Sequence, residues 1–482
     1  MQAISFAEKE ELARFISEKG VKILNLCHIP EDGRLKTLSF SASDKSRVFE
    51  VLEFGERVDG SNLFSFIESE KSDIYIKPNI KKAFMNPFSN TPTLNILCDY
   101  LDENGKPLDI APKNVLKRAE ERLLSSRGIS VKALAELEFY IIAKETSEAL
   151  FQNVPDKNYH ESSPFSSFEN LRNEILIMLS KIGIATKYAH SEVGQLRRKD
   201  GVLMEQHEVE FLPQSLAEMA ENIAVAKWVI RNVCAKNGFS VSFSPKVSLE
   251  HAGNGMHIHF CAIKNGSNII ANPNGTLSEE GLKIIGGVLN FASSLTAFGN
   301  PTPISYLRFI ARKESPMHIC WSERNRLALI RIPLWWDFLG AQAETENIKK
   351  TIEYRAPDPF ANAHLLFAGM VVAINHAMEN PEEALKTAEK LHINGKGKGK
   401  RFKTLPKSCH ESAKNLWKDR KLYEANGVFP KKLIEKTIEK LRAYKDKDLW
   451  KNMADKPEKI EKLMQQYFTM AKETLIAYHK AK

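Results

Sequence analysis

The chain has 482 residues and few cysteines, none near another in sequence. The six (Cys27, Cys98, Cys234, Cys261, Cys320 and Cys409) stand singly, without a CxxC pair. That excludes a thiolate zinc site and a disulfide framework, and it suits a reducing, cytoplasmic setting. Long apolar runs are missing too. No stretch approaches the ~18–20 uncharged apolar residues that span a bilayer. The most apolar stretch, 364–378, carries two histidines, so no membrane association is expected. The opening MQAISFAEKEELARF is acidic early and has no apolar segment, so no secretory signal is expected. There is no GxxxxGK[ST] loop and no GxGxxG after a strand, which argues against P-loop and Rossmann nucleotide sites. The net charge is +9, yet no zinc-finger spacing or RNP-like motif supports nucleic-acid binding. Much of the excess lies in 394–407, NGKGKGKRFKTLPK, which reads as a solvated, mobile loop.

What is present reads as an α+β chain. An amphipathic helix is expected near the start, from Ile4, Phe6, Leu12, Phe15 and Ile16. Strand-like runs VKILNLCHI and DIYIKP follow, broken by turns such as EDG and VDGS. A boundary between a small domain, 1–110, and a large one, 111–482, falls near 100–115. In the large part, helices are expected at 115–127, 165–182, 215–236, 278–298 and 360–378. Strands are expected at 132–142, 184–191, 206–212, 239–246, 255–263, 318–333 and 351–356. Many alternate apolar with polar, which predicts an antiparallel sheet with one polar face. The Lys- and Glu-rich segment 410–482 reads as a helical surface extension.

The informative feature is where charge falls within strands. VKALAELEFYIIAK puts Glu136 and Glu138 on one face, roughly 7 Å apart. At an effective dielectric near 20 such a pair repels by about 2 kcal/mol. The pattern recurs: Glu208 and Glu210 in LMEQHEVEFLP, His257 and His259 in GNGMHIHF, Glu353 and Arg355 in KTIEYRAPDP, with Glu192 ending another run. Carboxylates with an occasional imidazole suit magnesium or manganese. Arg308, Arg324, Arg326, Arg331 and Arg355 lie close by in sequence and suit phosphate or carboxylate. Metals plus several arginines are the equipment of phosphoryl transfer.

Seven motifs in order resemble the glutamine synthetase family: VDGSN, the NPFSNTP junction with the helix after it, AELEFYI, GNGMHIHF, GNPTPISYLRF, SERNRLALIRIP and IEYRAPDPFANAHLLFAGMV. The resemblance implies a small β-grasp-like N-terminal domain and a catalytic domain whose curved antiparallel sheet is backed by helices. It implies stacked rings of subunits (a dodecamer) with active sites shared between neighbours, glutamate, ammonium and ATP as substrates, and Mg2+ or Mn2+ as cofactor. Glu138, Glu192 and Glu208 match the ligands of the metal nearer the amino-acid substrate. Glu136, His257 and Glu353 match those of the metal on the ATP phosphates. Arg326 and Arg331 match phosphate-contacting arginines, and His259 a residue beside the nucleotide. Arg308 and Arg355 match the amino-acid clamp, with Gly253 as a backbone contact. Asp59 matches the residue that deprotonates ammonium in a neighbour's site. Glu314 matches a flap residue that closes over the acyl phosphate, and Glu192 also faces the amine.

The departures bear on the substrates. Ala252, Lys187 and Thr351 stand where the family often has Asn, Glu and Arg. Two insertions follow Glu192 and Arg331. The second brings Trp335 and Trp336, which could line a wider pocket for an organic amine, making a γ-glutamylamide synthetase the alternative to a glutamate–ammonia ligase. A non-catalytic member is disfavoured by the six intact ligands.

Overall fold

The structure, a computed structural model, describes residues 4–144, 154–198, 201–311, 314–335, 350–393, 402–453 and 456–468. The first sheet has five strands: β1 (Ile23–His28), β2 (Lys36–Ser41), β3 (Glu56–Asp59), β4 (Asp73–Met85) and β5 (Thr93–Leu101). Their order is β2-β1-β5-β4-β3, with β1 and β5 parallel and the other neighbours antiparallel. Helices α1 (Lys9–Glu18) and α2 (Lys45–Phe54) belong to this part. The sequence reading missed α2, whose apolar face is only Val48, Val51 and Leu52.

The second sheet contains β6 (Ile129–Lys144), β7 (Thr186–Arg197), β8 (Val202–Phe211), β9 (Gln214–Ser215), β10 (Ser240–Ser242), β11 (Met256–Lys264), β12 (Ser267–Asn268), β13 (Trp321–Glu323), β14 (Ile330–Ile332) and β15 (Ile352–Tyr354). Its main path is β13-β14-β15-β11-β6-β8-β7. All pairs are antiparallel except β13 with β14. Helices α3 (Pro112–Arg127), α4 (Glu169–Lys181), α5 (Leu216–Lys236), α6 (Glu279–Asn290), α7 (Ala292–Gly299), α8 (Pro303–Ile310) and α9 (Ala363–Glu379) back it. The helix α9 is buried on nearly every side, which explains its continuous apolar sequence.

Several expectations need correction. The span 278–298 is two helices bent by 71°, with Phe291 at the break. The span 318–333 is two three-residue strands, joined through a turn in which Arg324 takes φ 55°. The antiparallel sheet does carry a polar face, and that face is enclosed: β6 lies in the middle, and Glu138, Glu208, His257 and Glu353 are buried. The C-terminal segment is helical but not merely superficial. Ile460, Met464 and Tyr467 pack with Trp450 against Ile304 and Leu307 of α8. In the basic loop, 394–401 lie outside the described residues. The rest is pinned: Lys403 O accepts from Ile319 N at 2.8 Å, and Leu405 is buried.

The two sheets are joined through buried charge. Glu221 on α5 pairs with Lys82 of β4 and with Lys113 of α3, which also reaches Asp99 of β5. No single helix among the described residues is long and apolar enough to cross a membrane.

Candidate active site

Strand register assembles the site. Side chains alternate along a strand, so one face of β6, β8, β11 and β15 collects the charged positions. Glu138 of β6 lies directly opposite Glu208 of β8, and Glu136 lies between Glu210 of β8 and His257 of β11. Glu353 of β15 faces His259 of β11 on one side and Arg331 of β14 on the other. A slip of one residue in any strand would turn its carboxylates to the opposite face. All of these residues but Glu353, which is fully buried beneath it, line a cavity of ≈ 160 Å³ together with Tyr159, Lys187, Tyr188, His190, Glu192, Gly253, Glu314, Arg326 and Arg355.

Contacts divide the basin into two ends. At one, His257 Nδ1 stands 2.7 Å from Glu136 and 3.9 Å from Glu353, and His259 Nε2 lies 2.9 Å from Glu136. Arg331 and Arg355 each donate to Glu353 at 2.5 Å. At the other end, Glu138 accepts from Gly255 N at 2.8 Å and Gln206 at 3.0 Å. Glu192, Glu208 and His190 gather beside it. The GNG turn is tight for a reason. A Cβ on Gly253 would sit 2.2 Å from Pro245 O, and one on Gly255 would sit 2.6 Å from both Arg308 and His257.

The electrostatics follow the division. Burial alone would raise Glu136 and Glu353. The histidines outweigh it at Glu136, and Arg355 with the histidines at Glu353, so both carboxyls are held low. Glu192 is pushed up to about 8, by burial first and then by Glu138. Glu208 is pushed up by burial and by Glu136, Glu138 and Glu192.

Three groups have ligand atoms lying within 4.8 Å of one another: Glu136, His257 and Glu353; Glu138, Glu208 and His257; His190, Glu192 and Glu208. The donors are carboxylate oxygens and imidazole nitrogens, without sulfur, a set that fits hard divalent cations. The mutually raised carboxyls also fit, since such a cluster is most readily ionised around a cation.

The first of these groups is one of the two triads expected from sequence. The other expected triad is brought together in two overlapping groups that share Glu208. Glu314, Arg326, Arg331, His259, Gly253 and Arg355 all line the cavity. Arg308 lies behind it, buried, with Nη2 3.3 Å from His257 Nε2. It comes from the helix α8, an element the sequence reading did not predict. Asp59 does not line the cavity. It is exposed at the end of β3, accepting hydrogen bonds from Ser61 and Asn62. Trp335 is buried, its indole N–H 3.3 Å from Thr351 O, and it does not line the cavity either. Trp336 lies outside the described residues.

Sequence reasoning missed His190, Tyr159, Tyr188 and Gln206. His190 had a signal: it sits two residues before Glu192, hence on the same strand face. Gln206 likewise precedes Glu208 by two. Tyr159 had none, since its loop reaches the site only through tertiary contacts. Two departures each find a partner within the site. Lys187 pairs with Glu210 at 2.8 Å, and Thr351 Oγ1 lies 3.1 Å from His259 Nδ1.

Residues 109–464 match the catalytic domain of glutamine synthetase, and residues 20–103 match the glutamine synthetase β-grasp domain. This chain belongs to the glutamine synthetase family. A glutamine synthetase of Pyrococcus abyssi is 33% identical over 418 residues, covering 86% of this chain and 89% of the relative. That of Thermotoga maritima is 30% identical over 439 residues, covering 89% and 94%. In fold, the chain is similar to Plasmodium falciparum glutamine synthetase, with a TM-score of 0.78 at 22% identity over 92% of this chain and 97% of that one. It is also similar to a ligand-free GmaS, with a TM-score of 0.72 at 20% identity over 92% and 96%. The chain is therefore an enzyme of the glutamine synthetase family, with a β-grasp domain and a catalytic domain.

Proposed function

We propose that this enzyme joins ammonia to the γ-carboxylate of glutamate, with ATP as phosphoryl donor and γ-glutamyl phosphate as intermediate. The observation that carries the reading is the carboxylate–imidazole basin faced by Arg326, Arg331 and Arg355 in one cavity. The relatives' name points the same way. Glu136, His257 and Glu353 would hold one divalent cation, Mg2+ or Mn2+, and Glu138, Glu192 and Glu208 another. Such ions, when bound, neutralise charge on the phosphoryl oxygens.

The chain's own residues supply the rest. Arg326 and Arg331 take the phosphates, with His259 beside the nucleotide. Arg355 and Arg308 orient the amino-acid substrate against the backbone of Gly253. The γ-carboxylate attacks the terminal phosphorus of ATP, the bond to ADP breaks, and an acyl phosphate forms. Glu314 closes over it, because water in the pocket would hydrolyse it. Ammonia then attacks the acyl carbon and inorganic phosphate leaves. Ammonium must lose a proton first, and a carboxylate is suited to take it. Asp59, exposed and outside its own chain's cavity, would do so in the site of a neighbouring subunit. That requires a homo-oligomer, with stacked rings in a dodecamer as the proposed assembly.

A second reading has one observation behind it. Tyr159, His160 and His190 form an aromatic cluster beside Glu192, with Tyr159 stacked on His160 at 4.1 Å between ring centroids and the two histidines tilted at 4.4 Å. Aromatic faces attract cations and accommodate apolar substituents, so an organic amine could replace ammonium there. Product identification by mass, with glutamate, ATP and either ammonium or a panel of mono- and diamines, separates the two. Glutamine formed well above any γ-glutamylamide is the expected result. Efficient amide formation with ammonium inert would overturn the first reading in favour of the second.

A further inference from the structure

On the face of β8 opposite Glu208 lies a second buried charge cluster that none of these steps uses. Glu205 and His207 are both fully buried. Glu205 accepts from Ser166 Oγ at 2.7 Å, Ser167 N at 3.0 Å and Gln195 Nε2 at 3.1 Å. His207 Nε2 stands 3.2 Å from it. Arg172 of α4, itself buried, contacts His207 Nδ1 at 3.3 Å and Ser166 Oγ at 3.4 Å. Arginine can only donate, so Nδ1 accepts and the ring proton sits on Nε2, facing Glu205. Burial would raise Glu205. The His207, Ser166 and Ser167 donors outweigh it and hold the carboxyl at about 2, so it remains an acceptor for all its partners.

The partners share one consequence. Ser166 and Ser167 lie at the end of the stretch that crosses the outer edge of β7 before α4. Along that edge Asn158 N donates to Val193 O, and His160 N to Ser191 O. Between these two bonds sits Tyr159, which lines the carboxylate cavity together with Arg326. Taking a charge out of water is costly, so a carboxylate buried there calls for a reason.

We propose that Glu205, with His207 and Arg172, is a positioning residue: it anchors the 158–167 segment, through which Tyr159 fixes Arg326 over the carboxylate basin. This rests on the reading of Arg326 as a phosphate contact. An arginine misplaced by about 1 Å forfeits stabilisation in the transition state more than in the ground state, so the effect falls on kcat.

The test compares Glu205→Gln, Tyr159→Phe, their double variant and Arg326→Gln in the full-length enzyme. Glu205→Gln places an amide donor among donors, and Tyr159→Phe removes only the hydroxyl at an exposed ring. Each is expected to lower kcat roughly tenfold with the glutamate KM within about twofold, and the double variant to be no worse than the worse single. A purely structural role would lower the melting temperature of Glu205→Gln and leave kcat per folded enzyme unchanged, which overturns the proposal. Additive losses in the double variant overturn it too. Should Glu205→Gln fail to fold, a normal kcat in Tyr159→Phe is sufficient to reject it. Normal kcat in Arg326→Gln would sink the site reading and this proposal together. Loss in Arg326→Gln alone, with the other two normal, rejects only the positioning role.

Discussion

The two ends of the carboxylate basin use the same residue type under opposite electrostatics. At the Glu136–Glu353 end, the protein brings its own cations: against burial, His259 and His257 hold Glu136 low, and Arg355 with the same histidines holds Glu353 low. At the other end the charges that act on Glu192 and Glu208 are other carboxylates, both are raised, and Glu192 rises to about 8. One end is neutralised from within; the other calls for a cation from outside. The difference follows from register. Glu353 has a basic residue opposite it on both sides, whereas Glu138 and Glu208 face each other.

The largest effects should come from breaking the self-neutralised end. Glu353→Ala leaves Arg331 and Arg355 without their buried partner, so it should abolish ligation and destabilise the fold by about 3–5 kcal/mol. Urea unfolding and a phosphate-release assay measure both. Glu208→Gln should abolish ligation equally but with the opposite sign on stability. By relieving repulsion it should stabilise the cation-free enzyme by about 1–2 kcal/mol at pH 9. It should also shrink the rise in melting temperature that manganese gives the parent. Equal destabilisation by the two variants would erase the distinction between the ends.

The pH dependence sharpens the comparison. Glu192 has a folded-state value above its unfolded one, so its contribution is fully present below the ordinary carboxyl range and is lost as pH rises through about 8. Glu136 and Glu353 are lowered, so their contribution is present above that range and is lost on acidification. The cation-free melting temperature should therefore fall between about pH 5 and 8, and Glu192→Gln should flatten that slope. An unchanged slope in the variant would refute the assignment to Glu192.

The smallest effect expected is a recovery. Asp59→Ala and Glu353→Ala, each inactive, should regain about a quarter of parental activity when unfolded together and reassembled, because random mixing leaves about one interface in four with both residues intact. No recovery, with assembly verified, would contradict an active site completed by a neighbour's Asp59.

Much of this site was legible in the sequence, for a physical reason. Strand periodicity is two, so Glu136 with Glu138, or His257 with His259, declares a shared face without any knowledge of the fold. What stayed hidden depends on contacts distant in sequence. Arg308 sits on an eight-residue helix too short to show a period, whose buried face is completed by Ile460 and Met464 from the other end of the chain. The bend at Phe291 lies inside a continuous apolar pattern, which records burial and not direction. Tyr159 and Glu205 had only composition around them. The charge of Glu205 reads as a solvated strand end until Ser166, Gln195 and His207 are seen to enclose it.

The most direct test follows the γ-carboxylate oxygen. With glutamate carrying 18O in that group, ATP, magnesium and ammonium, the released inorganic phosphate should acquire one 18O for each glutamine formed, since the carboxylate attacks phosphorus and its oxygen departs with phosphate. Phosphate free of 18O alongside glutamine, or no glutamine at all from an assembled, metal-loaded enzyme, would contradict ammonia ligation through an acyl phosphate in this basin.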